Sequence, residues 1–212
     1  MRAFITENTT VAAPGLVPEV RLHLVTELTP LWRSTADILE RFDLPPPFWA
    51  FAWAGGQGLA RYVLDHPEIV RGRRVFDFAT GSGLVAIAAA RAGASHVGAS
   101  EIDPFSVEAA RLNAALNGVS LEVVLRDVVG EELAGYDVVL AGDVFYERPL
   151  AEGGTRWFRE LARRGASVLV GDPGRVYSQS EGLELVATYR VPTSREIEDD
   201  DLRPSHVLRV VG

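Results

Sequence analysis

From Gln57 onward, short apolar runs alternate with amphipathic stretches, and this alternation carries most of the structural information in the chain. Gly58 to Leu64 has helical spacing and is expected to end before Pro67. Arg74 to Phe78 is a short apolar run, followed by a glycine-rich turn over 79–83 and a helix of small residues from Leu84 to Ala92. His96 to Ser100 predicts a second strand. Asp103-Pro104 then opens a helix, with the aspartate as N-cap and the proline in the first turn, and Asn117-Gly118 closes it. Leu121–Leu125, Tyr136–Ala141 and Ser167–Val170 predict three further strands, with a helix over 153–163. Leu183–Arg190 and His206–Val211 complete the set as two strands with no helix between them.

Strands that alternate with helices imply a parallel, doubly wound α/β sheet, because a parallel pair needs a crossover. The last two strands lack a crossover and should form an antiparallel hairpin at one edge. The N-terminal part is less patterned. Val20, Leu22 and Leu24 alternate with polar residues as in a short strand, and Leu31–Phe42 reads as a helix starting at Pro30. Pro45-Pro46-Pro47 separates this segment from the rest. The expected organisation is one domain over 1–212, with 1–46 as an extension packing on a catalytic core of 47–212.

Composition narrows the chemistry. The chain has 212 residues and a formal net charge of -8, so its overall field repels nucleic-acid phosphates and anionic membranes. No apolar run approaches a membrane span. The expected partner is therefore neither nucleic acid nor membrane, and the expected compartment is the cytoplasm. There is no cysteine, which excludes disulfides, thiol nucleophiles and cysteine-ligated zinc. All 21 basic residues are arginine, so Schiff-base and P-loop lysine chemistry is excluded as well. The four histidines are scattered without metal-ligand spacing, and no metal is expected.

The segment Asp77-Phe-Ala79-Thr-Gly81-Ser82-Gly83 lies between a strand and a helix. Glycines there let backbone approach a ligand, and a helix N-terminus offers free N–H groups. Glu101 ends the next strand, where an acid can hold both ribose hydroxyls. Together these point to an adenosine-containing ligand and a Rossmann-like sheet. Asp77 inside the first strand favours a cationic ligand over a dinucleotide, whose pyrophosphate is already negative. The ammonium and sulfonium of S-adenosylmethionine fit an acid-rich site. Asp127 at the third strand end either accepts from the adenine amino group or caps a turn. Asp143 in Gly142-Asp143-Val-Phe-Tyr146 lies at a strand C-terminal end, where such sheets bind ligands. It either faces the transferable methyl, with Tyr146 walling the pocket, or N-caps a helix over a core Phe145.

These residues resemble those of a known group. Pro47 to Gln57, the 77–83 turn, Gly93 to Val97, Glu101 to Pro104, Asn113, Leu116 to Gly118, Gly142 to Tyr146 and Gly171 to Arg175 are similar to class I, seven-strand S-adenosylmethionine-dependent methyltransferases. More narrowly, they resemble the lysine methyltransferases of the electron transfer flavoprotein β-subunit and their bacterial relatives. The resemblance implies a seven-stranded sheet, S-adenosyl-L-methionine as cofactor and a protein substrate, the β-subunit of electron transfer flavoprotein or a similar one. It also implies that Trp53 borders the cofactor, unless it is plain core. Asp77, Ala79, Gly81, Ser82 and Gly83 would hold the methionine end, Glu101 and Ile102 the ribose side, and Asp127 and Val128 the adenine. Asp143 and Tyr146 would be catalytic. Asp172 is either structural or close to the substrate.

Two positions depart from the family pattern. Ala79 replaces the first glycine of the turn, which is harmless if its φ stays negative. Glu101 replaces an aspartate. The acceptor itself is not dictated by the fold. A small-molecule, nicotinamide-like N-methyltransferase and a non-catalytic adenosine-ligand binding module remain alternatives. The acidic run 196–201 is a solvated loop tip or a lure for a basic surface.

Overall fold

The structure is a computed structural model and describes residues 1–26, 47–178, 181–193 and 201–212. The helices and strands before the central alternation are α1 (Arg2–Asn8), β1 (Thr10–Ala12), β2 (Leu22–Leu24) and α2 (Ala54–Asp65) among the described residues. The central alternation is β3 (Arg74–Phe78), α3 (Leu84–Arg91), β4 (His96–Glu101), α4 (Pro104–Leu116) and β5 (Glu122–Leu125). It continues with β6 (Val138–Gly142), α5 (Arg148–Arg163) and β7 (Ser167–Asp172), and ends in β8 (Leu183–Pro192) and β9 (Leu202–Val210).

Seven strands form one sheet in the order β5-β4-β3-β6-β7-β9-β8. The first five positions are parallel; β9 runs antiparallel to both β7 and β8. The expected doubly wound sheet and its C-terminal hairpin are both present, with β8 as the outer edge. Strand order reverses between β3 and β6, so the crevice of the sheet lies over the C-terminal ends of these two neighbours.

Side-chain alternation explains why the central strands are mostly apolar on both faces, with Asp77 and Ser100 as buried polar exceptions. Val75, Val138, Leu140 and Leu169 face a cluster with α2, α3, Val17, Val20 and Leu22. Phe76, Phe78, Val139, Ala141, Val168 and Val170 face the opposite cluster, with Trp157, Phe158 and Leu161 of α5. Helices cover both faces, so neither side of the central strands faces solvent. Phe158 is wholly buried, with Phe78 edge-on at 5.7 Å. Truncating it to alanine should cost about 3–5 kcal/mol.

Several boundaries differ from expectation for local reasons. α2 begins at Ala54 rather than Gly58, because Gly55 and Gly56 lie against the ends of β6 and β7. A Cβ on Gly55 would sit 2.5 Å from the Gly171 carbonyl oxygen, so only glycine allows this approach. α5 begins at Arg148, five residues before the predicted start, since the Gly153-Gly154 pair is carried inside the helix. α1 and β1 have too little periodicity to be read; Ile5 alone is buried in α1. β1 pairs antiparallel with β2 as a small separate hairpin. The helix expected over Leu31–Phe42, Pro45-Pro46, and 196–200 of the acidic run lie outside the described residues.

Candidate active site

The cofactor side of the crevice is built by the turn after β3. Ala79, Gly81 and Gly83 all have positive φ, at 52°, 52° and 83°. This corrects the expectation for Ala79: its φ is not negative, and its methyl sits in the left-handed region at a cost of about 1–2 kcal/mol. The turn needs that geometry because Thr80 N donates to Ser100 O at 3.2 Å and Gly83 N to Thr80 O at 2.8 Å. Around Gly81 there is open space where a Cβ would lie. A Cβ on Gly83 would instead press against Ala110 of α4 at 3.2 Å. Ser82 is buried, and its carbonyl accepts from Asn113 Nδ2 at 2.8 Å.

The acids of this half converge on the same turn. Asp77 is buried in β3, and its Oδ2 accepts from Thr80 Oγ1 and from Ala86 N, at 3.0 Å, in the first turn of α3. Burial pushes its carboxyl up to about 7, against the pull of these two donors. Glu101 Oε1 accepts from Gly81 N at 2.8 Å and its Oε2 from Ile102 N at 3.0 Å. Its carboxyl is likewise raised, chiefly by burial. Ile102 is 75% exposed, an apolar side chain held in solvent beside the acid. Asp127 is exposed and its Oδ1 accepts from Val129 N at 2.9 Å, the turn-capping alternative made visible. Val128 differs from expectation: it is wholly buried in the α5-side core and offers no surface to a ligand.

The other side of the crevice draws on distant segments. Asp143 follows β6 and has φ of 61°, a left-handed conformation that aspartate tolerates better than most residues. Its Oδ2 accepts from Gly55 N at 2.6 Å, and its Oδ1 pairs with Arg175 Nε at 2.6 Å. Asp143 therefore caps a helix, as one alternative held, but the helix is α2 from across the sheet. α5, the next in sequence, has Glu147 as its N-cap residue and no side-chain cap. Phe145 is core, as that alternative also held. Trp53 is half-buried rather than core: its indole N–H donates to Phe48 O at 2.8 Å. The Arg175 guanidinium lies 5.5 Å over its ring. Tyr146 is 45% exposed, with its ring 5.7 Å from that of Phe48, itself 48% exposed. Burial of the phenol raises the Tyr146 hydroxyl above its ordinary value.

Asp172 braces the loop that carries Arg175. It is buried and accepts from Gly174 N, Arg175 N and Ser178 Oγ, folding the loop after β7 over the site. Arg175 is the residue that sequence reasoning left without a role. Its signal was the Gly171-Asp-Pro-Gly-Arg175 segment, whose partner lies 32 residues earlier in the chain. A cavity of about 620 Å³ near Arg73, Tyr136, Asp137 and Arg164 lies at the opposite, N-terminal edge of the sheet and shares no residue with this crevice.

The donor set fits S-adenosylmethionine. The buried Asp77 and half-buried Glu101, both with raised affinity for a proton, are suited to a cationic ligand; Glu101 ends the strand next to the turn, and Gly81 leaves room for a backbone approach. The comparisons with known proteins agree. Residues 62–144 match the model of the ribosomal protein L11 methyltransferase family. The fold is similar to that of the magnesium protoporphyrin IX methyltransferase of Synechocystis solved with bound S-adenosylmethionine. The TM-score is 0.53 and the identity 22%, covering 73% of this chain and 76% of that one. Fold and site thus define an S-adenosylmethionine-dependent methyltransferase.

Two relatives narrow the class. The chain is 37% identical over 216 residues to the electron transfer flavoprotein β-subunit lysine methyltransferase of Danio rerio, covering 99% of this chain and 83% of that protein. It is 39% identical over 212 residues to the Xenopus laevis protein of the same name, covering 97% and 85%. The chain belongs to the electron transfer flavoprotein β-subunit lysine methyltransferase family.

Proposed function

We propose that this enzyme methylates a lysine side chain of the electron transfer flavoprotein β-subunit or a closely similar protein. The observation that carries the reading is the near-full-length identity to relatives named for that substrate. An open mouth supports a protein acceptor over a small one: Phe48 and Tyr146 stand about half exposed at its rim.

Bound in the crevice, S-adenosylmethionine supplies an electrophilic methyl on a positively charged sulfur. Asp77, Ala79, Gly81, Ser82 and Gly83 would hold its amino-acid end, Glu101 and Ile102 its ribose side, and Asp127 its adenine. Trp53 would border it. Asp143, across the strand-order reversal, would aim the acceptor amine, with Tyr146 beside it. A lysine ammonium has a reference pKa of about 10.4 and no lone pair, so it must lose a proton to water before it can attack. The nearby positive sulfur favours that loss by like-charge repulsion. Holding amine and methyl in line then supplies most of the rate.

The test is direct. The enzyme is titrated calorimetrically with S-adenosylmethionine and S-adenosylhomocysteine, with NAD as control, then incubated with purified electron transfer flavoprotein. Intact-mass and peptide mass spectrometry should show methyl increments on lysine of the β-subunit. Cofactor binding with no increment on that protein would overturn the acceptor assignment and leave the class standing.

A further inference from the structure

We propose that Arg175 is a positioning residue that balances the charge of Asp143, so that the acceptor amine meets the transfer site in its neutral form. This rests on the reading of Asp143 as the residue that aims the amine.

A carboxylate alone in this place would work against the reaction. It would attract the lysine ammonium, hold it as the charged form and so raise the pKa that must be overcome. The geometry avoids this. Arg175 Nε pairs with Asp143 Oδ1 at 2.6 Å, and the Asp143 side chain is only 7% exposed, so solvent screens the pair little. A guanidinium stays charged at every working pH, so the balance does not titrate away. Gly55 N takes the other carboxylate oxygen at 2.6 Å and adds the positive end of α2. The carboxylate thus keeps its shape as an acceptor while its net field is reduced.

Arg175 is held for this role from two further directions. Its guanidinium is packed 5.5 Å over the Trp53 ring. Its backbone N–H donates to Asp172 Oδ1 at 3.3 Å, in the loop fixed by Gly174 N and Ser178 Oγ on the same carboxylate. Among the described residues, the other ionisable groups near the pair include Asp172 below the loop and Tyr146 and Glu147 after β6, with Glu101 and Asp77 further across the crevice. Arg148 also approaches, its guanidinium 5.6 Å over the Tyr177 ring of the same loop. Tyr146 is pushed above its ordinary range and stays neutral through the pH interval that matters. Among the described residues, Arg175 is the cation in direct contact with the Asp143 carboxylate.

The experiment measures kcat against pH between about 7 and 9.5, because kcat reports groups in the bound complex. It compares the full-length enzyme with Arg175→Gln and Arg175→Lys, using saturating S-adenosylmethionine and the electron transfer flavoprotein β-subunit. Glutamine keeps a donor and removes the charge; lysine keeps the charge. Arg175→Gln should move the rising limb of kcat upward by about one pH unit, lose roughly tenfold at neutral pH and recover at alkaline pH. Arg175→Lys should keep the wild-type midpoint. Calorimetric affinity for S-adenosylmethionine should be the same in all three. A loss of equal size at every pH, or a midpoint unchanged in Arg175→Gln, overturns the inference while leaving the functional reading intact. No lysine methylation by the wild type overturns that reading, and this inference with it.

Discussion

The two halves of the crevice are built by different means. On the cofactor half, the contacts that shape the site are local. The turn over 79–83, Asp77 before it and Glu101 one strand later are joined by hydrogen bonds among backbone N–H groups and short acids. On the acceptor half, Asp143 joins α2, the end of β6 and the loop after β7 through side chains brought together from segments 88 and 32 residues away. A common cofactor can be held by a compact motif. A particular acceptor is met by a constellation that exists only when the sheet is complete.

That contrast can be broken at either half. The largest expected effect is at Asp143. Asp143→Asn keeps a side chain that tolerates the left-handed backbone but removes the charge that holds Arg175 and the start of α2. Turnover should fall about 100-fold, as expected when an acceptor is no longer aimed. S-adenosylmethionine affinity should stay within about threefold, read by calorimetry. Next in size is Glu101→Ala, whose effect should be the mirror image. Loss of the ribose-side acceptor should weaken S-adenosylmethionine binding by about 30-fold, near 2 kcal/mol. Methyl transfer at saturating cofactor should change far less.

A third prediction uses pH. Burial lifts Asp77 from its ordinary 3.8 to about 7. The folded protein therefore binds a proton there that the unfolded chain has released, and the stability of the ligand-free enzyme should fall as pH rises from about 4 to about 7. A cationic ligand favours the ionised carboxylate, so binding below pH 7 must expel that proton. Affinity should drop about tenfold per pH unit below the midpoint. Asp77→Asn should flatten both dependences. Calorimetry at pH 6 in two buffers of different ionisation enthalpy counts the proton directly.

The smallest effect tests the turn alone. Ala79→Gly removes a methyl from a φ of 52° and should stabilise the protein by about 1 kcal/mol, raising the melting temperature by about 2–4 °C. An unchanged melting temperature would mean that the turn bears no strain at this residue.

Most of the sheet was legible because its strands are short apolar runs bounded by turn residues, and because Asp103-Pro104 and Asn117-Gly118 mark both ends of α4. The cofactor turn was legible for the same reason that it is local. What escaped was non-local or weakly patterned. The start of α2 is set by glycines that only the ends of β6 and β7 require, and the conformation of Ala79 by hydrogen bonds to Ser100 O and within the turn. The sequence leaves Asp143 either facing the methyl or capping a helix, and no sequence rule pairs it with a helix that begins 89 residues earlier, at Ala54. Arg175 was visible only as part of a motif, since its partner is named by the fold.

One amide has a reach larger than its size. Asn113 in α4 is fully buried; its Nδ2 holds the Ser82 carbonyl at 2.8 Å and its Oδ1 takes the backbone N–H of His23 in β2, also at 2.8 Å. The first hairpin and the turn that shapes the crevice are thereby fastened to the same side chain. A protease nick between β1 and β2 would loosen one end of that fastening. The damage would register far from the cut, as faster amide hydrogen exchange at Gly81 and Gly83. The order of the turn is set partly from outside the sheet, by a short hairpin that carries no chemistry of its own.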